Sequence, residues 1–217
     1  MESTTTTNKS LKEQIEQVLA QDRHVLNFEH YTPSPEHVQR METLAKLAPE
    51  LYDNPDITPR SKWFQHARYH QNSQMPPFHV HFRTETQAVI HMLYKALQVP
   101  ESQQQSIRRA AHIFQSSMRG LQGHVSIEEY ACFPLYQQTY PHVDVSFLTN
   151  DHKDLHKQEE TTQKELSELS LQSSPSKQAI QETLGVVLDF DQHLLAHLGE
   201  EEEIVVPMSL TEKSIFF

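Results

Sequence analysis

The sequence predicts an all-α protein, an up-down-up-down four-helix bundle over residues 76–208 behind an N-terminal helical arm over 10–75. Three observations predict it. Glycine is scarce, 4 in 217 residues, and 101–200 holds long stretches without Gly or Pro. Apolar residues after Pro77 recur at helical spacing in four successive segments. The loops joining the first segment to the second and the third to the fourth are short, so those neighbours run antiparallel.

The elements follow in order. Residues 1–9 form a polar, Thr-rich tail of disordered composition. Residues 10–22 predict a short amphipathic helix with Leu11, Ile15, Val18 and Leu19 on one face. Ser34-Pro35 reads as an N-cap followed by proline at the first helical position. The helix it opens runs to about Ala48, with Val38, Met41, Leu44 and Leu47 as its stripe. Pro49, Pro55 and Pro59 interrupt the next stretch, an aromatic patch (Trp63, Phe64, Tyr69) follows, and Pro76-Pro77 close the arm. The first bundle segment covers about 78–98 and the second about 102–133, with Ile107, Ala111, Phe114, Met118, Leu121 and Val125 inward. The third covers about 150–169, capped by Asn150 or Asp151. The fourth covers about 177–206, with Ile180, Leu184, Val187 and Leu194 inward, and 209–217 is a C-terminal tail.

One pattern occurs twice. His124, three residues, Glu128, five residues and Pro134 match His197, three residues, Glu201, five residues and Pro207. Residues i and i+4 share a helix face, so each copy aims an imidazole and a carboxylate at one point, and each proline is expected to stop its helix. The third segment adds His152 and His156 at the same spacing. They lie about as far before the last loop as His197 lies after it, which makes them level in an antiparallel pair. The first segment faces His124 with His79 or His81, while His91 is level with His112 in the other half of the bundle. The result is one cluster: His79 or His81, His124, Glu128, His152, His156, His197 and Glu201. Shared between two six-coordinate metals, five imidazoles, two bridging carboxylates and a bridging hydroxide leave one position open for a small ligand. The imidazole-rich set favours Fe, Zn or Cu over Mg and Ca. No histidine has Glu three residues before it, so the Glu-x-x-His repeat of ferritin-like bundles is absent, as are His-Glu-x-x-His and a glycine-rich phosphate loop.

The remaining candidates have plainer readings. His193 reads as a residue behind the ligands or in solvent, and His66/His70 as arm or surface histidines. Glu200–Glu203 reads mostly as a solvated face, with Glu201 alone in phase with His197. Tyr130 and Cys132 read as packing residues.

Composition narrows the class. A net charge of −11 gives nucleic acid nothing to hold. The single cysteine, Cys132, excludes an internal disulfide and suits a reducing compartment. The N-terminus lacks a secretory signal and no run approaches a membrane span, so a cytoplasmic protein is expected.

Residues 78–208 resemble the hemerythrin family, in its hemerythrin-like, HHE cation-binding branch. The matches are His79-Val-His-Phe-Arg-Thr-Glu, His124/Glu128 ending in Phe133-Pro134, His152/His156, and His197/Glu201 ending in Pro207. The resemblance implies two non-haem Fe ions, one held by His152, His156 and His197 and the other by His79 and His124, with Glu128 and Glu201 bridging. His79 is preferred over His81 because Phe82, Arg83 and Glu85 then fall where relatives carry similar residues. Classical oxygen carriers place Asp five residues after the last histidine; here Glu201 stands four residues on, as in bacterial-type relatives. The iron–sulfur-repair branch carries a cysteine in its N-terminal segment, and this arm has none.

The expected function is binding of O2 or NO at an open iron position. The alternatives are a di-iron oxidoreductase acting on NO or peroxide with an outside electron donor, and an iron- or oxygen-sensing module that reaches a protein partner through the arm.

Overall fold

The computed structural model describes residues 9–69 and 75–211, and no strand occurs among them. Residues 1–8, His70 and the tail beyond Thr211 lie outside the described residues. The arm opens with α1 (Leu11–Leu19), where Ser10 and Glu13 form a reciprocal capping box. Helix α2 (Pro35–Leu47) starts at the expected Ser34 cap, with Pro35 in its first turn. Its buried face is narrower than the predicted stripe: Leu44 and His37 are inside, while Val38 and Leu47 are exposed. A short α3 (Pro49–Tyr52) and a 3-10 turn (Arg60–Gln65) carry the arm onward.

Four long helical elements then make the helical bundle: α4 (Met75–Gln98), α5 (Gln103–Ile127) continuing into α6 (Phe133–Thr139), α7 (Ser146–Leu171) and α8 (Lys177–Thr211). Helix α4 packs on α5 and α8, and α7 packs on the same two. Pro76 and Pro77 sit in the first turn of α4 rather than before it, where backbone N–H groups have no intrahelical partner to lose.

The two prolines expected to stop helices do not. Between α5 and α6 the chain makes a π-helical turn, Glu128–Cys132, with Phe133 N–H reaching back to the Glu128 carbonyl. This wider turn takes Pro134 into the start of α6, so the helical path continues to Thr139. Helix α8 runs straight through Pro207 to Thr211. Its last turns are buried on every side (Ile204, Val205, Val206, Met208, Leu210), and that packing outweighs one missing backbone donor.

The main core fills the space between the long helices with Phe114, Phe190, Val89, Leu184 and Leu194, and the arm residues Ile15 and Val18 join it. A second core sets Leu44, Leu51 and Tyr52 of the arm against Tyr136, Val205 and Met208. A third sets Ile57, Trp63 and Tyr69 against Val206 and Leu210. The arm therefore closes over the C-terminal half of α8. No helix among the described residues is long and apolar enough to cross a membrane.

Candidate metal centre

Two groups of side chains converge inside the bundle. His79, His124, Glu128 and Glu201 form one, and His152, His197 and Glu201 the other, each with potential ligand atoms within 4.8 Å of one another. Helix α4 supplies His79, α5 His124, the π-turn Glu128, α7 His152, and α8 His197 and Glu201. Both carboxylates lie between the groups. Glu201 Oε2 is 3.5 Å from His79 Nε2 and 3.6 Å from His197 Nε2. Glu128 lies 2.8 Å from His124 Nε2 through one oxygen and 3.7 Å from His152 Nε2 through the other. The π-turn thus starts at a residue whose carboxylate must reach both sides, a setting in which such turns recur.

Three of the four imidazoles are aimed by a carboxylate at their outer nitrogen. His79 Nδ1 donates to Glu202 at 2.9 Å, His152 Nδ1 to Glu129 at 3.0 Å, and His197 Nδ1 to Asp151 at 2.6 Å. With Nδ1 carrying the proton, each Nε2 presents a lone pair inward. The Nε2 atoms of His79 and His124 are only 3.1 Å apart. Both oxygens of Glu128, both of Glu201 and Nε2 of His152 are buried without a hydrogen-bond partner. Buried polar atoms left unpaired are costly, and here they all face one centre. Cations held by imidazole nitrogens and carboxylate oxygens would satisfy every one of them.

The electrostatics agree. Burial lowers His79 and His152 to about 3, so both stay neutral, as ligands must. Burial raises Glu128 to about 8 and, with Glu128 beside it, lifts Glu201 well above the carboxylate range. Burial opposes charge on His197 too, yet the hydrogen bond to Asp151 carries it above its usual value. A divalent cation would reverse the carboxylate shifts by favouring the ionised form.

His156 is not brought to this centre. It points outward with 53 % of its side chain exposed, 3.1 Å from Glu159 and 3.7 Å from Glu160. The physical reason is angular: four residues advance a helix by about 40° beyond a full turn, and on α7 that offset carries His156 past the edge of the buried face. His81 is exposed at the rim of a cavity beside the centre, and His91 is exposed elsewhere on α4.

Other readings change as well. Asp151 is no cap, since α7 begins at Ser146; it holds His197 and, at 3.1 Å, His193. The Glu200–Glu203 run is not a solvated face. Glu202 is fully buried and accepts from His79, from Arg83 at 2.9 Å and from Arg60 of the arm at 2.5 Å. Burial opposes its charge, but these partners hold its carboxyl at about 2. Glu203 accepts from Tyr31 and His37, and Glu200 from the Ser34 backbone. Four consecutive helical residues sweep the whole circumference, so acids on a helix apolar all round had to find buried partners; that was the available signal. Tyr130 is exposed, whereas Cys132 is buried as expected.

The profile of the hemerythrin HHE cation-binding domain matches residues 78–209, more than half of the chain. The chain belongs to the hemerythrin HHE cation-binding domain family. No curated protein and no solved structure matches it significantly. The matched hemerythrin segment contains every residue of both groups and all three carboxylates behind them, but not the arm that supplies Arg60.

Proposed function

We propose that the chain is a non-haem di-iron protein, an up-down-up-down bundle whose metal pair binds O2 or a similar small ligand such as NO. The observation that carries this reading is the position of Glu201, whose carboxylate faces His79 on one side and His197 on the other. A carboxylate shared by two imidazole groups suits a bridged pair of cations rather than one. Two irons, when bound, would supply an open coordination position and the electrons that a ligand such as O2 takes up.

The residues divide the work. His79, His124, His152, His197, Glu128 and Glu201 hold the pair. Glu202, Glu129 and Asp151 accept from Nδ1 and so fix the imidazole rings, leaving Nε2 of each neutral ring as the inward lone pair. The His79/His124 side carries fewer imidazoles in the family pattern and opens onto an apolar cavity, so the small ligand enters there. His156 joins as a fifth imidazole only by leaving Glu159 and Glu160, and a His156→Ala variant that keeps both metals would assign it to the surface.

A second reading is favoured by the Arg60–Glu202 contact. Through it the arm touches a group that orients His79, the contact by which metal occupancy and arm docking would be coupled in a sensing module. Metal content per chain, with the visible spectrum taken anaerobically and after exposure to air, tests the main reading. Two irons and a reversible charge-transfer band support ligand binding. Two irons that oxidise without return favour the oxidoreductase or the sensor. One zinc, or no metal, sinks the di-iron assignment.

A further inference from the structure

A cavity of about 490 Å³ opens beside the His79/His124 group. Its inner wall includes His124 and Glu128, and the rest of its lining is mostly apolar, Phe78, Phe82, Ile127 and Val205 among it, with His81 and Ser209 as polar members. A diatomic ligand needs little more than the roughly 30 Å³ that one water occupies in the liquid. An apolar cavity of about 150 Å³ already holds a benzene ring, so this one has room for far more.

Two further features point to an occupant. The mouth carries large apolar side chains in water, Phe78 at 56 % exposure and Ile127 at 61 %. Two glycines, Gly120 and Gly123, stand in the wall within α5, where each costs the helix about 1 kcal/mol relative to alanine. No backbone turn requires them, since neither has a positive φ. Gly123 is exposed at the cavity's edge and a Cβ there would meet nothing within 4 Å, while one at Gly120 would touch Phe82 at 3.5 Å.

We propose that this cavity binds an apolar organic molecule of about a dozen or more non-hydrogen atoms, with its inner end against His124 and Glu128. The site is then shaped for an apolar ligand presented to the metal position, not for a diatomic alone. The placement of the inner end beside a metal rests on the di-iron reading; binding to the cavity does not.

The test uses the full chain, metal-free and iron-loaded, titrated with the neutral fluorescent probe N-phenyl-1-naphthylamine. The expected result is saturable binding of one probe per chain to both forms, with a shift in the visible spectrum of the iron-loaded form. Gly123→Leu grows a side chain into the cavity while improving helix propensity. It should keep the metal content and circular dichroism of the parent and bind the probe at least about tenfold more weakly. Unchanged binding by Gly123→Leu would overturn the proposal, as would no saturable binding to either form. Binding that emerges only in a Phe216→Ser/Phe217→Ser double variant would overturn it by assigning the cavity to the chain's own C-terminal residues. Binding without any spectral shift would overturn the placement beside the metal. If no iron loads, the metal-free titration still decides the cavity, so failure of the di-iron reading is seen separately.

Discussion

Glu202 joins Arg60 to His79: one carboxylate oxygen accepts from the arm's guanidinium at 2.5 Å, the other from the imidazole Nδ1 at 2.9 Å. Neither Glu202 nor His79 has measurable exposure, so this junction is dry and its charges are strongly felt. Arg60→Ala leaves the Glu202 carboxylate with one cation fewer in the interior. The expected cost is about 3–5 kcal/mol of stability, together with weaker metal retention on the His79 side. Thermal unfolding and metal analysis after dialysis against a mild chelator check both.

Glu201 and Glu202 are adjacent in sequence but predict different losses. Glu201→Gln removes the carboxylate that both groups share, so neither metal should remain at stoichiometric level. Glu202→Gln leaves Glu201 in place and removes the charge behind His79, which also pairs Arg60 and Arg83. It should keep two metals at saturation with affinity lowered about 10–100-fold. Competition titrations separate the outcomes, and equal behaviour of the two variants would contradict the geometry.

At Gly199 the arm packs directly against α8. A Cβ there would stand 2.5 Å from the Tyr31 ring, and Arg60 donates to the Gly199 carbonyl at 3.0 Å. Gly199→Ala should therefore destabilise the fold by about 1–3 kcal/mol through overpacking. In a Tyr31→Ala background the same change should be neutral or stabilising, because only the helix gain of about 1 kcal/mol remains. A double-mutant cycle in denaturant measures the coupling.

The metal-free protein should be most stable at or below about pH 6.5. Glu128, raised to about 8, binds its proton more tightly folded than unfolded, so its contribution is present at low pH and lost as pH rises to about 8. Glu201 and His197, also raised, act in the same direction. His79 and His152, lowered to about 3 from 6.5, act oppositely: their contribution is present above 6.5 and lost as pH falls. The melting temperature of the metal-free form should thus fall between about pH 6.5 and 8. Metal holds the carboxylates ionised, so the gain on loading should grow over the same interval. Calorimetry at pH 7 in buffers of differing ionisation enthalpy should register proton release on binding.

The convergence of His79, His124, Glu128, His152, His197 and Glu201 was legible because repeated i, i+4 pairs on antiparallel helices report both face and level. His156 followed the same spacing, yet a rotation of about 40° was enough to take it to the surface, and spacing alone does not say in which direction a helix is turned. The carboxylates behind the ligands were not legible as partners of particular histidines: Glu202, Glu129 and Asp151 act across distances in sequence that no local pattern encodes. Asp151 looked like a cap because helix starts are read from single residues. Pro134 and Pro207 looked like stops because a lone proline removes a backbone donor; the π-turn and the burial of α8 on all sides answer that loss, and both are tertiary facts.

The embrace of α8 by the arm also bears on synthesis. Arg23 pairs with Asp191 and Arg60 with Glu202, residues 168 and 142 positions apart. The arm is synthesised well before its charged partners on α8. Its buried arginines have no counter-charge on α8 until that helix has been made. Contacts of such long sequence separation form slowly, so the arm closes after the bundle rather than guiding it. Until Arg60 reaches Glu202, the carboxylate behind His79 has only Arg83 as a buried guanidinium partner.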